Sequence, residues 1–106
     1  MFTWVEHLVL LKLTRLPTEE ERDQIASLQS LHGVVSVVQG ENYTTRGQGY
    51  NYAIVIRLTS KEAEVAYQTT PLHVKVRDEV IIPLLVKDTC VCPATPWFSA
   101  AFVHLL

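Results

Sequence analysis

Residues 4–13, Trp-Val-Glu-His-Leu-Val-Leu-Leu-Lys-Leu, read as a first strand. Val5, His7, Val9, Leu11 and Leu13 fall on one face, and Trp4, Leu8 and Leu10 dominate the other. A strand apolar on both sides is one that is covered on both sides. Leu16-Pro17-Thr18-Glu19-Glu20-Glu21 then starts a helix, because Thr18 and Glu21 have the spacing at which each side chain satisfies the other's backbone amide. Ile25, Leu28 and Leu31 give this helix a narrow apolar stripe with Ala26 beside it, and Gly33 is its stop. Val34 to Gly40 is rich in β-branched residues and forms the second strand. Glu41 to Gln48 is a polar loop. Tyr50 to Leu58 is the third strand, with Tyr52, Ile54, Ile56 and Leu58 on one face and Asn51 and Arg57 on a wetter one.

Beyond Leu58 the spacing turns helical. Ser60 is an N-cap for a short helix ending near Tyr67. Pro71 pushes Thr70 out of the helical region, and Thr70-Pro71 makes the cap and first turn of another helix. That second helix runs to about Ile82, with His73, Val76, Arg77 and Val80 on one side, and Pro83 is expected to break it. Leu84 to Cys92 reads as a fourth strand. In the tail, Trp97, Phe98, Ala101, Phe102 and Leu105 recur as one stripe, which predicts a short docking helix. The division expected is a folded unit over residues 1–92 and an apolar extension over 93–106.

The order β-α-β-β-α-(α)-β is that of an α+β, ferredoxin-like arrangement: one antiparallel sheet with helices on one face. Its other face needs cover. A chain of 106 residues is too short to supply a second sheet, so the economical cover is a second subunit, giving a dimeric α+β barrel. Composition sharpens this reading. Hydrophobic residues make up 48% and charged residues 19%, an apolar share that fits a folded chain with a subunit contact. A formal charge of −2 offers no electrostatic footprint for nucleic acid. No apolar run is long enough for a membrane span and no cleavable leader opens the sequence, so a cytoplasmic location is expected. Cys90 and Cys92 share one strand face and read as reduced packing residues, with no metal site.

The candidate chemistry gathers at Tyr67-Gln-Thr-Thr-Pro-Leu-His73. The break at Thr70-Pro71 lets Tyr67 and His73, on different helices, converge. Both residue types transfer protons, although a tyrosine ending a helix is commonly core with a surface hydroxyl. His7, on the face of Val9 and Leu11, either points into a pocket there or is a core-edge histidine bonded to backbone. Arg77 either clamps an anionic group or snorkels to water. Asp88, in an apolar run, is placed to orient His7 or His73, or simply ends a strand.

The sequence resembles the stress-responsive dimeric A/B barrel family. The resemblance rests on His7-Leu-Val-Leu-Leu-Lys12, Gly40-Glu-Asn-Tyr43, Gly49-Tyr50, Ser60-Lys-Glu-Ala63, Tyr67 to His73 with its Pro-x-His, and Pro83 to Asp88. It covers roughly residues 4–90. Within the family the Tyr-to-His stretch is similar to that of the polyketide cyclases of the olivetolic acid cyclase type. This likeness implies an intramolecular aldol- or Claisen-type closure of a poly-β-keto substrate, with His73 as general base, Tyr67 activating or positioning it, and no metal or organic cofactor. His7, Val9, Leu11, Tyr52, Ile54, Val76, Arg77 and Asp88 would line the substrate site. Tyr52 stands where such a cyclase has a histidine, and Arg77 where it has a small residue, so pocket shape and charge would differ. Two other readings stand beside it: a non-enzymatic stress-linked dimer binding a small apolar ligand, and a haem-binding relative with no motif beyond His73.

Overall fold

The computed structural model describes residues 4–44, 46 and 49–86. Among them, β1 (Val5–Leu11), β2 (Val34–Glu41) and β3 (Tyr52–Leu58) form an antiparallel sheet in the order β1-β3-β2. Val5 lies opposite Leu58, and Leu11 opposite Tyr52. In β2, Val37 lies opposite Ile56, with an irregularity between Val34 and Ser36. Burial alternates residue by residue along both β1 and β3. The period-two pattern therefore reports a sheet with one sealed face and one partly open one. On the sealed face, Val9, Leu11, Ile54, Ile56 and Leu58 pack with Ile25, Leu28, Tyr67, Val76, Val80 and Leu84 from the helical layer.

Helix α1 (Glu19–Ala26) starts at the Thr18 capping box. The Glu21 amide donates to Thr18 Oγ1 (3.2 Å), and the Thr18 amide to Glu21 Oε1 (2.8 Å). The α-helix is shorter than its apolar stripe predicts: from Ser27 to Ser30 it tightens into a 3₁₀ turn. Gly33 then takes φ +84°, and a Cβ there would lie 2.7 Å from Ala63 Cβ. Only glycine suits both that backbone and that close approach to the next helix.

Helix α2 (Lys61–Gln68) is capped by Ser60, whose hydroxyl accepts from the Ala63 amide at 3.1 Å. Helix α3 (Pro71–Val76) is capped by Thr70, whose hydroxyl accepts from the His73 amide at 3.3 Å and donates to the Tyr67 carbonyl at 2.8 Å. One threonine thus ties the end of α2 to the start of α3. The helical path does not break at Pro83. It widens into a π turn over Arg77–Ile81 and ends as α4 (Ile82–Leu84), which contains Pro83. The proline has no amide hydrogen, and its ring would meet the carbonyl four residues back in a regular α-helix. In the wider turn the Ile82 amide donates to the Arg77 carbonyl, one residue further back than an α-helix allows, and the rod continues past the proline.

The expected fourth strand is corrected at its start. Leu84 is helical, and pairing begins at Leu85, which bridges Leu13 in antiparallel sense. The Thr14 amide donates to the Leu84 carbonyl at 2.7 Å, and the Val86 amide to the Lys12 carbonyl at 2.8 Å. The rest of that strand, both cysteines and the apolar extension lie outside the described residues. Asn51, expected on a wet face, clamps the end of the first strand instead: its side chain accepts from the Leu13 amide (2.8 Å) and donates to the Leu13 carbonyl (2.9 Å).

Among the described residues no helix lies over the outer sheet face. Leu8, Leu10, Ala53 and Val55 are half-buried there, and Val38 is 62% exposed. Arg57 bonds Glu6 across the strand pair and lies over the Trp4 ring at 4.7 Å. No helix among the described residues is long and apolar enough to cross a membrane.

Candidate active site

Three elements bring polar side chains together under the sealed sheet face. β1 carries His7, the last full turn of α2 carries Tyr67, and the first turn of α3 carries His73. All three are nearly inaccessible to solvent. The Tyr67 and His73 rings contact each other with centroids 4.5 Å apart and planes tilted by 57°. His7 meets the edge of Tyr67 with centroids 6.3 Å apart. The proline break produces this convergence, since one uninterrupted helix would carry residues 67 and 73 on different faces.

The tautomer of His73 follows from its partner. Its Nδ1 lies 2.9 Å from the carbonyl oxygen of Gln68. A carbonyl only accepts, so Nδ1 carries the proton and Nε2 is the basic nitrogen. Burial lowers the affinity of this imidazole for a second proton, and the nearby Arg77 guanidinium adds to the effect; the Gln68 carbonyl and Asp78 oppose it. The ring is therefore neutral at neutral pH. His7 is pushed down to about 4, chiefly by burial and secondarily by His73. Among the described residues its Nδ1 is buried without a hydrogen-bond partner. Burial, helped by Glu64, raises the Tyr67 phenol well above its ordinary value, so the hydroxyl keeps its proton as a donor.

These groups border a cavity of about 40 Å³. Val9, Ile54, Val76 and Arg77 also line it. Leu11 and Tyr52 do not. Both are buried in the core, and the Tyr52 hydroxyl donates to Gln39 Oε1 at 2.5 Å. Arg77 is engaged by Asp78 at 2.9 Å. Asp88 lies outside the described residues. The walls also include Leu28, Ile56 and Ile81, which sequence reasoning did not assign to the site. Ile56 was recoverable, because it shares the face of Ile54. Ile81 was not, because its facing depends on the π turn. Among the described residues no group of three or more His, Cys, Asp or Glu could hold a metal ion.

A pair of proton-transfer groups with a neutral imidazole, a protonated phenol and apolar walls can move a proton on and off a small oxygen- or carbon-bearing group shielded from water. The comparisons with known proteins fit the fold. No curated protein matches the sequence. Solved structures of similar shape include a hydroxynitrile lyase from Passiflora edulis, 18% identical, with a TM-score of 0.67 over 82% of this chain and 88% of that one. They also include a Dabb family protein with a ferredoxin-like fold from Mesorhizobium loti, 19% identical, with a TM-score of 0.63 over 79% and 88%. A dimeric ferredoxin-like protein of unknown function from Thermobifida fusca is 19% identical, with a TM-score of 0.59 over 78% and 82%. At these identities the likeness is one of fold. The sequence itself matches the family model over residues 5–91, so the chain belongs to the stress responsive A/B barrel domain family, Dabb.

Proposed function

We propose that this protein is a cofactor-independent enzyme that makes or breaks a carbon–carbon bond beside a carbonyl, with His73 as general base and Tyr67 as the donor to the developing oxyanion. The observation that carries this reading is the Tyr67–His73 contact at the wall of a small, mostly apolar cavity, with the His73 proton held on Nδ1 by Gln68. In the ring-closure form, His73 removes a proton from a methylene between two carbonyls, the carbanion attacks a second carbonyl of the same molecule, and Tyr67 stabilises the resulting oxyanion. In the lyase form, His73 removes the hydroxyl proton of a cyanohydrin; the carbonyl forms, cyanide leaves, and the proton goes to cyanide.

The poly-β-keto closure suggested by the olivetolic acid cyclase resemblance demands room for a long chain. A cavity of about 40 Å³ is far below the few hundred Å³ typical of a ligand site and admits only the reacting group. That volume favours the second form, on a small carbonyl adduct, and the Passiflora edulis lyase of like fold supports it. We assign the outer sheet face to a second copy of the chain; neighbours of this fold are described as dimeric. Its half-buried apolar rows would then close into a barrel core, in a protein that works in the cytoplasm.

The test is cyanide release from acetone cyanohydrin, beside product analysis with a linear poly-β-keto thioester. His73→Gln keeps a polar planar side chain but removes the base, and the rate falls by about 10²–10⁴. A variant as fast as the parent on the substrate that the parent turns over would exclude His73 as the base.

A further inference from the structure

A second and larger groove, of about 230 Å³, borders the adjacent face of the same helical rod. Leu72, Val76 and Val80 form its apolar floor, and the exposed Gln24 and Ser27 at the end of α1 border it. Lys75 and Glu79, both exposed, stand at its rim. Among the described residues Val76 is the one that borders both this groove and the His73 cavity. It is 3% exposed and sits three residues after His73, on the adjacent turn of the same face.

We infer that Val76 is the partition that limits the length of substrate reaching His73, and that the groove behind it is an unused compartment for an apolar chain. This rests on the reading of His73 as the base. The geometry supports it in three ways. The inner cavity is too small to hold more than a reacting group. The groove beyond Val76 has several times its volume. Leu72 and Val80, four residues to either side of Val76, extend its apolar surface along the rod. Replacing the isopropyl group of valine by a methyl group removes the only side chain common to both walls. Val76 is a specificity-determining residue in this account and takes no part in proton transfer.

The experiment uses the full chain with Val76→Ala and Val76→Ile. Crystals of each are pressurised with xenon, which reports apolar space whatever the chemistry. Binding of butan-2-one and nonan-2-one, a short and a long methyl ketone, is followed through the His73 imidazole proton resonance. In Val76→Ala the two chambers become continuous, and nonan-2-one binds at least tenfold more tightly than to the parent while butan-2-one is little changed. Val76→Ile keeps a β-branched side chain in the helix and moves the preference the other way. Two chambers still separate in a folded Val76→Ala protein overturn the inference, as does an unaltered preference between the ketones. A His73 resonance that responds to neither ketone in any variant, with the chambers joined, overturns instead the reading of His73 as the base, and the role of Val76 with it.

Discussion

His7 is the most informative position to perturb, because its burial makes a quantitative statement about pH. Its imidazole is driven from 6.5 to about 4, and its Nδ1 has no partner among the described residues. A histidine whose folded value is depressed binds fewer protons in the native state than in the unfolded one. Stability is therefore full above pH 6.5 and declines as pH falls through the window from 6.5 to about 4. Over the whole window, about 2.5 pH units at about 1.36 kcal/mol each gives a loss of about 3 kcal/mol, of which about 2 kcal/mol accrues between pH 7.5 and 5. His73 is lowered in the same sense and adds to the decline. Glu21 acts in a separate window. Its carboxylate is held at about 2 by Arg15 and the Thr18 cap, so its contribution is present above 4.5 and disappears only as pH falls toward 2. Measurements above pH 5 thus isolate the histidines. His7→Phe removes the titrating group and the orphaned nitrogen, and the adjoining cavity accepts the larger ring. Urea unfolding at fixed protein concentration, at pH 7.5 and pH 5, is the assay. The variant is expected to lose about 2 kcal/mol less than the parent on acidification. It is also expected to be more stable at pH 7.5 by about 1 kcal/mol, since a buried polar atom without a partner costs about 1–3 kcal/mol. An equal acid loss in both proteins would refute the reasoning.

Two further substitutions test the scaffold. Gly33→Ala places a Cβ against Ala63 at a backbone angle that side chains rarely adopt, and thermal or urea unfolding should show a loss of about 1–3 kcal/mol. Leu8→Asp puts a charge in the middle of the outer sheet face; sedimentation equilibrium should show the proposed sheet-to-sheet dimer weakened about a hundredfold or more, since an unpaired buried charge costs about 3–5 kcal/mol. An unchanged dimer would mean that the sheet face is not the subunit contact.

Local chemistry carried much of the fold into the sequence. The Thr18–Glu21 box and the Ser60 and Thr70 caps depend on neighbours within four residues and are found where the sequence places them; the two faces of β1 and β3 are also as read, although among the described residues only one face of β1 is sealed. The approach of Tyr67 to His73 was legible for the same reason, as both flank a single capped proline. What escaped was set by longer-range compromise. Pro83 reads as a breaker, yet the chain accommodates it through a wider turn, and this carries Ile81 to the cavity wall and delays strand pairing to Leu85. Tyr52 and Leu11 share faces with site residues, but they lie toward the other end of the strands and are absorbed by the core. Facing is a matter of period; position along the strand relative to a cavity is a matter of tertiary packing.

The role proposed for His73 requires a neutral imidazole, protonated on Nδ1, at neutral pH. Nitrogen-15 NMR of the imidazole, titrated from pH 4 to 8, measures this directly. The Nδ1–H tautomer is expected above pH 7, with a midpoint below the ordinary 6.5. A midpoint at or above 6.5, or a proton found on Nε2, would contradict it.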